Sequence, residues 1–381
     1  MILDNHGRIR ELDGWRAVSV ALVIVHHLFT YRFPRILEGM PALLTWSADI
    51  GPLGVRIFFV ISGFVICRLI IAEELRYGSV SLTGFYYRRL FRILPPLYLF
   101  LLSLFLMGVA RWITVDNKAL VMGALFLTNT KFAPNNWFSG HTWSLAVEEQ
   151  FYLAFPTLWI VLSRWKRWRG PSFGLLFLLL AARDMESVYR GWHAHVATNS
   201  RNGFSCICAG VLMAIWEAKA RKLVMGVPGW VVLVLGMTIL VDPLRDAVLV
   251  NGLFHSLAEP LTIGLVLLYS TQRGAWLRAF LCCRATQAVG ITSYGIYLWQ
   301  ELFTGPVENY HKAGAALAYL LPLLCVVVPV SYLFVEKPAM QVGKMLSRRT
   351  RQRMLDRAAD KAHSPKGADP TNPSEVLKVP G

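Results

Sequence analysis

Arg16 and His27 stand eleven residues apart in the first apolar stretch of the chain, DGWRAVSVALVIVHHLFTYRF. Eleven residues make three helical turns, so the two side chains share one face. An ionisable side chain inside hydrocarbon costs at least a few kcal/mol, so a histidine there needs a buried partner or a polar cavity. An imidazole titrates near pH 6.5 and burial favours its neutral form, which is the form a general base needs. His26 points about 100° away and reads as a packing or interfacial histidine, although the two could exchange roles.

A second cluster, His141-Thr-Trp143-Ser144-Leu145-Ala-Val-Glu148-Glu149-Gln150-Phe-Tyr152, lies at the start of another apolar run. Two adjacent carboxylates there require a wet cavity or a cation; the alternative is a position at the water interface, with Trp143 in an aromatic belt. A third cluster, Phe85-Tyr-Tyr-Arg88-Arg89-Leu-Phe-Arg92, packs three cations into one helical turn. Guanidinium forks match phosphate oxygens, which suits a polyphosphate donor; plain anchoring at a cytoplasmic surface is equally compatible with the charge.

Depth suggests which clusters meet. His27 lies about twelve residues, roughly 18 Å, into its span, and Glu148 about five residues, roughly 8 Å, from the opposite end of an antiparallel one. In a hydrocarbon core of about 30 Å these levels nearly coincide, so His27 and Glu148 are expected in one cavity. Arg16, roughly 16 Å below His27, is too far to stabilise an oxyanion there and is expected on the donor path.

The elements that must hold these residues are membrane helices. Of 381 residues, 55% are hydrophobic and only 16% charged, with a positive mean hydropathy of +0.45. A soluble domain carries roughly a quarter charged residues. The first apolar segment has no small-residue cleavage site after it and reads as a retained span. Long runs occur near 15–33, 52–72, 93–112, 143–162, 285–303 and 315–335, with shorter ones near 171–183, 203–216, 229–241 and 258–270.

The net charge of +16 is explained by basic loops on one side of the membrane better than by nucleic-acid binding. Arg8 and Arg10, Arg76 to Arg92, and Arg164 to Arg169 must then be separated by even numbers of crossings. That condition makes Ala119–Thr130 a re-entrant or interfacial helix. The expected fold is therefore all-α, a polytopic bundle of about ten transmembrane helices plus that short helix, with both termini cytoplasmic. Residues 1–340 form the membrane domain, and 341–381 a basic cytoplasmic tail, disordered beyond about Ala358. The six cysteines suggest neither a disulfide framework nor a zinc site; His193, His195, Cys206 and Cys208 match no standard ligand spacing.

Six motifs occur in one order: LDGWR with His27 at R-x10-H, GVRIFFVISGF, YYRRLFRILPPLY, TWSLAVEEQFY, SYGIYLW and VEKP. Together they resemble the acyltransferase 3 family of integral-membrane acyltransferases, over about residues 8 to 340. The resemblance implies transfer of an acyl group, often acetyl, from cytoplasmic acyl-CoA to a hydroxyl of a glycan or lipid-linked saccharide, in a bacterial inner membrane. No permanently bound cofactor or metal is expected. By the same resemblance Arg16 and His27 are essential, Arg88, Arg89 and Arg92 contact the donor, and Trp143, Ser144 and Glu148 belong to the active centre. This chain departs from the family at Gln300, where many members carry histidine, and at Arg56, where many carry an acidic residue. Some members add a C-terminal esterase-like domain, and the resemblance here is to the membrane module alone.

From the residues, His27 is the expected base and Glu148 the carboxylate that orients it; a covalent acyl-histidine is less economical. Glu149 and Tyr294 complete the expected substrate contacts, with Tyr297 on the same helical face as Tyr294. The rival reading is a secondary transporter, since buried His, Arg and Glu also mark ion pathways, but the repeated halves usual in carriers are not seen.

Overall fold

The computed structural model describes residues 9–33, 41–189, 197–241 and 252–363, and these are helical with no strand among them. Helix α1 runs Arg10–His27 and continues as a π-helical turn, Leu28–Arg32. It is followed by α2 Pro41–Tyr77, α3 Leu82–Val109, α4 Asn117–Ala124, α5 Trp137–Gly140 and α6 Thr142–Val161. Next come α7 Arg169–Tyr189, α8 Ala197–Ile215, α9 Glu217–Gly226 and α10 Gly229–Val241. The last third holds α11 Glu259–Gln272, α12 Ala275–Cys282, α13 Arg284–Ile291, α14 Ser293–Trp299, α15 Glu301–Thr304, α16 Leu324–Ser331 and α17 Lys337–His363.

Five helical stretches among the described residues are long and apolar enough to cross a membrane, and a sixth if α8 and α9, bent by 89° at their junction, count as one. This is a multi-pass membrane protein. The expected figure of about ten crossings is not reached by this measure: α10 has 13 residues and α14 seven, lengths of roughly 20 and 10 Å against a core of about 30 Å. The segment expected to be re-entrant forms the eight-residue α4, too short to cross. Its following loop is tied down by Gln150, whose amide donates to the Phe126 carbonyl at 2.9 Å and pairs with Asn129. That contact accounts for one polar residue of the α6 cluster.

Helices approach closely where glycine removes a side chain. On α2 and α8, Cβ atoms at Gly63 and Gly210 would sit 1.9 Å from the Ile207 carbonyl oxygen and 2.1 Å from that of Val60. Small residues are the usual means by which membrane helices bring their backbones together. Helices α1 and α2 run antiparallel, with Gly51 against His26 and Gly54 against the Ser19 carbonyl.

The basic residues gather at the end of the bundle where α2 finishes. Glu73 takes Arg88 of α3 at 3.0 Å and Arg351 of α17 at 2.8 Å, while Glu74 takes Arg169 at 2.6 Å and Lys166 at 3.3 Å. Glu217 pairs with Arg221 and Arg68, and Glu11 of α1 with Arg278. Helix α17 runs unbroken across the boundary drawn at 340; Ser347 is buried against α3, and residues beyond 363 lie outside the described residues. Arg56 is paired with buried Glu259, which also holds His255. All six cysteines are free; Cys206 and Cys208 are buried on α8, and His193 and His195 lie outside the described residues.

Candidate active site

Two cavities enter the bundle from opposite ends. The inner one opens at the basic end and encloses about 700 Å³ including its mouth; Arg16, Arg89, Arg92, Ser62, Glu148 and Tyr294 line it. The outer one encloses about 1010 Å³ on the same measure, and His27, Tyr31, Trp137, His141, Trp143 and Glu301 line it. Only Val55 and Tyr297 belong to both.

The R-x10-H pair is thus divided between the cavities. Arg16 projects into the inner one, its guanidinium held by Asp13 at 2.7 Å. Arg89 lies 4.7 Å over the ring of Tyr152, and Arg16, Arg89 and Arg92 all act on the carboxylate of Glu148. Glu148 also accepts a hydrogen bond from the Ser62 hydroxyl. Tyr294 donates to the Ile93 carbonyl at 2.9 Å. The inner cavity therefore concentrates positive charge around one half-buried carboxylate, a setting suited to an anionic ligand.

At the outer end, His27 Nδ1 lies 2.8 Å from the Gln300 amide oxygen. With Nδ1 as the donor in that bond, Nε2 keeps its lone pair and faces the cavity. The Thr304 hydroxyl donates to the Gln300 backbone carbonyl at 3.0 Å and lies 3.2 Å from the same side-chain oxygen. His27 Nε2 is 3.8 Å from one oxygen of buried Glu301, whose other oxygen is 2.7 Å from His141 Nδ1. Glu301 therefore lies between two imidazoles. The Trp137 indole stands 5.6 Å from His27 and donates to the Glu301 carbonyl.

The expected pairing of Glu148 with His27 is not formed. Hydropathy started the first span near residue 15, whereas α1 begins at Arg10 because Glu11 is neutralised by Arg278 and Asp13 by Arg16. His27 is therefore the eighteenth residue of a 23-residue helical span, level with His141 just before α6, and Glu148 lies two turns deeper. Arg88 also departs from expectation. It is bound by Glu73 and by Ser347 at 2.5 Å, clamping α3 to α2 and α17, and does not line the inner cavity. Glu149 is half-buried beside Glu148 and lines neither cavity. Trp143 faces the outer cavity, and Ser144 the inner one, where its hydroxyl meets that of Tyr297 at 2.7 Å.

Glu301 and Gln300 were not expected as partners of His27. The signal existed, since Glu301 is an acidic residue immediately after the apolar run SYGIYLW, and the cost argument applied to His27 applies equally to it.

Residues 9–336 match the family model Acyl_transf_3, described as an acyltransferase domain. The chain belongs to the acyltransferase 3 family. It is similar to the O-acetyltransferase OatA of Staphylococcus aureus (strain NCTC 8325 / PS 47), 28% identical over 367 residues that cover 87% of this chain and 57% of that protein. It is also similar to the putative O-acetyltransferase SACOL0978 of Staphylococcus aureus (strain COL), 26% identical, over 88% of this chain and 58% of that protein. The chain thus spans less than two thirds of the length of these relatives. No solved structure matches it.

Proposed function

We propose that this acyltransferase moves an acyl group, acetyl in the simplest case, from acyl-CoA to a hydroxyl of a glycan or lipid-linked saccharide. The donor enters the inner cavity from the cytoplasm and the acceptor enters the outer one. The observation that carries this reading is the meeting of an arginine-lined cavity and a histidine–carboxylate cavity at a wall of two side chains. The names of the relatives, O-acetyltransferases, support oxygen as the acceptor atom.

The anionic part of the donor is held by Arg16, Arg89 and Arg92, spaced around their carboxylate by Glu148, while the thin thiol arm reaches inward. His27 Nε2 takes the proton as the acceptor hydroxyl attacks the thioester carbonyl. Collapse of the tetrahedral adduct breaks the C–S bond and expels the CoA thiolate, and the imidazolium returns its proton to that sulfur. Glu301 stabilises the imidazolium between those steps, and Gln300 holds the tautomer through Nδ1. Glu301 thus takes the orienting role the sequence suggested for Glu148. Trp137 and Tyr31, with ring centroids 4.8 Å apart beside His27, offer apolar faces to a sugar ring.

The carrier alternative loses its main support once the buried charges belong to an acyltransferase. The test uses purified protein in liposomes with radiolabelled acetyl-CoA and a panel of glycan acceptors. Label should reach an acceptor with the wild type and not with His27→Ala. If label reaches none of them while His27→Ala still supports solute uptake, the carrier reading takes its place. The inner membrane of a bacterium is the compartment this scheme implies, since it sets cytoplasmic acyl-CoA against an external glycan.

A further inference from the structure

We propose that Val55 and Tyr297 set the length of the acyl group this enzyme accepts, by forming the partition against which the donor's acyl chain ends; this rests on the donor reading above. The inner cavity changes character along its depth. Arg16, Arg89 and Glu148 line it together with Val55, which also lines the outer cavity, and Phe58, which packs on the shared Tyr297, so the apolar residues mark the end next to the partition. On α6 the change takes one turn, from Glu148 to Ser144, about 6 Å of helix. A ligand that places phosphates among the arginines places its apolar terminus in that last turn.

The wall there is built and latched. Tyr297 is 9% exposed, its hydroxyl donates to the His141 carbonyl at 3.0 Å and meets Ser144 Oγ at 2.7 Å. The His141 ring packs on it at 5.3 Å from the outer side and Phe58 at 6.2 Å from the inner side. Val55 closes the rest of the opening from α2, where Gly54 brings the backbone against α1. A short acyl group fits below the latched ring, and release of the latch then lets the thioester pass toward His27. A longer group meets the ring first. One extra methylene against a closely packed wall is worth roughly tenfold or more in discrimination.

Binding tests this without an acceptor. Purified protein in nanodiscs is titrated calorimetrically with CoA, acetyl-CoA, butanoyl-CoA and hexanoyl-CoA. The wild type should bind acetyl-CoA about as well as CoA and hexanoyl-CoA at least tenfold more weakly. Val55→Ala and, by loss of the latch, Tyr297→Phe should bring hexanoyl-CoA to within about threefold of acetyl-CoA, and Val55→Phe should extend the penalty to butanoyl-CoA. Unchanged affinity for plain CoA shows that each variant is folded. A wild type indifferent to chain length, or a penalty that survives both Val55→Ala and Tyr297→Phe, overturns the partition and leaves the donor reading standing. Failure of CoA itself to bind, or binding untouched by Arg89→Gln, overturns the donor reading and this proposal with it.

Discussion

The proposed role of His27 as base rests on the different company of its two nitrogens. Nδ1 is committed to Gln300, and Nε2 faces the cavity with Glu301 3.8 Å away, beyond hydrogen-bond range but close enough to stabilise a cation. Replacing His27 by Gln should lower transfer by about a hundredfold or more and leave the Kd for acetyl-CoA unchanged, because the proposed scheme gives the donor phosphates to other residues. Glu301→Gln keeps the shape but removes the charge between His27 and His141, so transfer should fall at least tenfold, again at constant Kd. The arginines separate in the opposite experiment. Arg89→Gln should weaken acetyl-CoA binding about tenfold, as expected for a lost charge-assisted contact. Arg88→Gln should leave that Kd within about twofold and lower the Tm by a few degrees, since its partners are Glu73 and Ser347. Equal effects of the two arginine variants on Kd would return Arg88 to the donor site.

At the scale of helices, the contact of α2 with α8 depends on glycine more than on any side chain. A methyl at Gly63 meets a backbone carbonyl at 1.9 Å, and backbone in a packed helix cannot move aside as a flexible side chain does. Gly63→Ala should therefore unfold the detergent-solubilised protein at a clearly lower temperature, whereas Gly226→Ala, with nothing within 4 Å, should leave Tm unchanged. The same scale shows what the sequence revealed and what it hid. Apolar run length was enough to find α1, α2, α3 and α6, and the charge alternation was enough to keep α4 from being a crossing. The starts of helices were less legible, because hydropathy counts Glu11 and Asp13 as polar without seeing Arg278 and Arg16 beside them. That five-residue error moved His27 by more than a turn and produced the pairing with Glu148. The partners of His27, Gln300 and Glu301, come from the junction of α14 and α15, about 270 residues away, and no local spacing encodes a contact of that range.

For the whole molecule, the separation of charge decides sidedness. The ends of α2, α8 and α11 and the starts of α1, α3, α7 and α9 share one basic surface, and the mouth lined by Tyr31 and Asn135 lies at the other end. The positive-inside rule then predicts that the basic surface faces the cytoplasm. Cys283 is a native reporter for it: the thiol is exposed, and hydrogen bonding by Thr286 lowers its pKa below that of an ordinary cysteine, which favours the thiolate that maleimides attack. In intact cells a membrane-impermeant maleimide should leave Cys283 unlabelled and label a cysteine introduced by Asn135→Cys. Permeabilised cells should show both, with Cys283 labelled at lower pH than the introduced cysteine, because a group with a lowered pKa keeps its thiolate further into acid. Protection of the two sites should also be separable by ligand, with acetyl-CoA slowing Arg89→Cys and leaving Asn135→Cys unaffected. Labelling of Cys283 from outside intact cells would invert the molecule and put the arginine cavity where no cytoplasmic thioester reaches it.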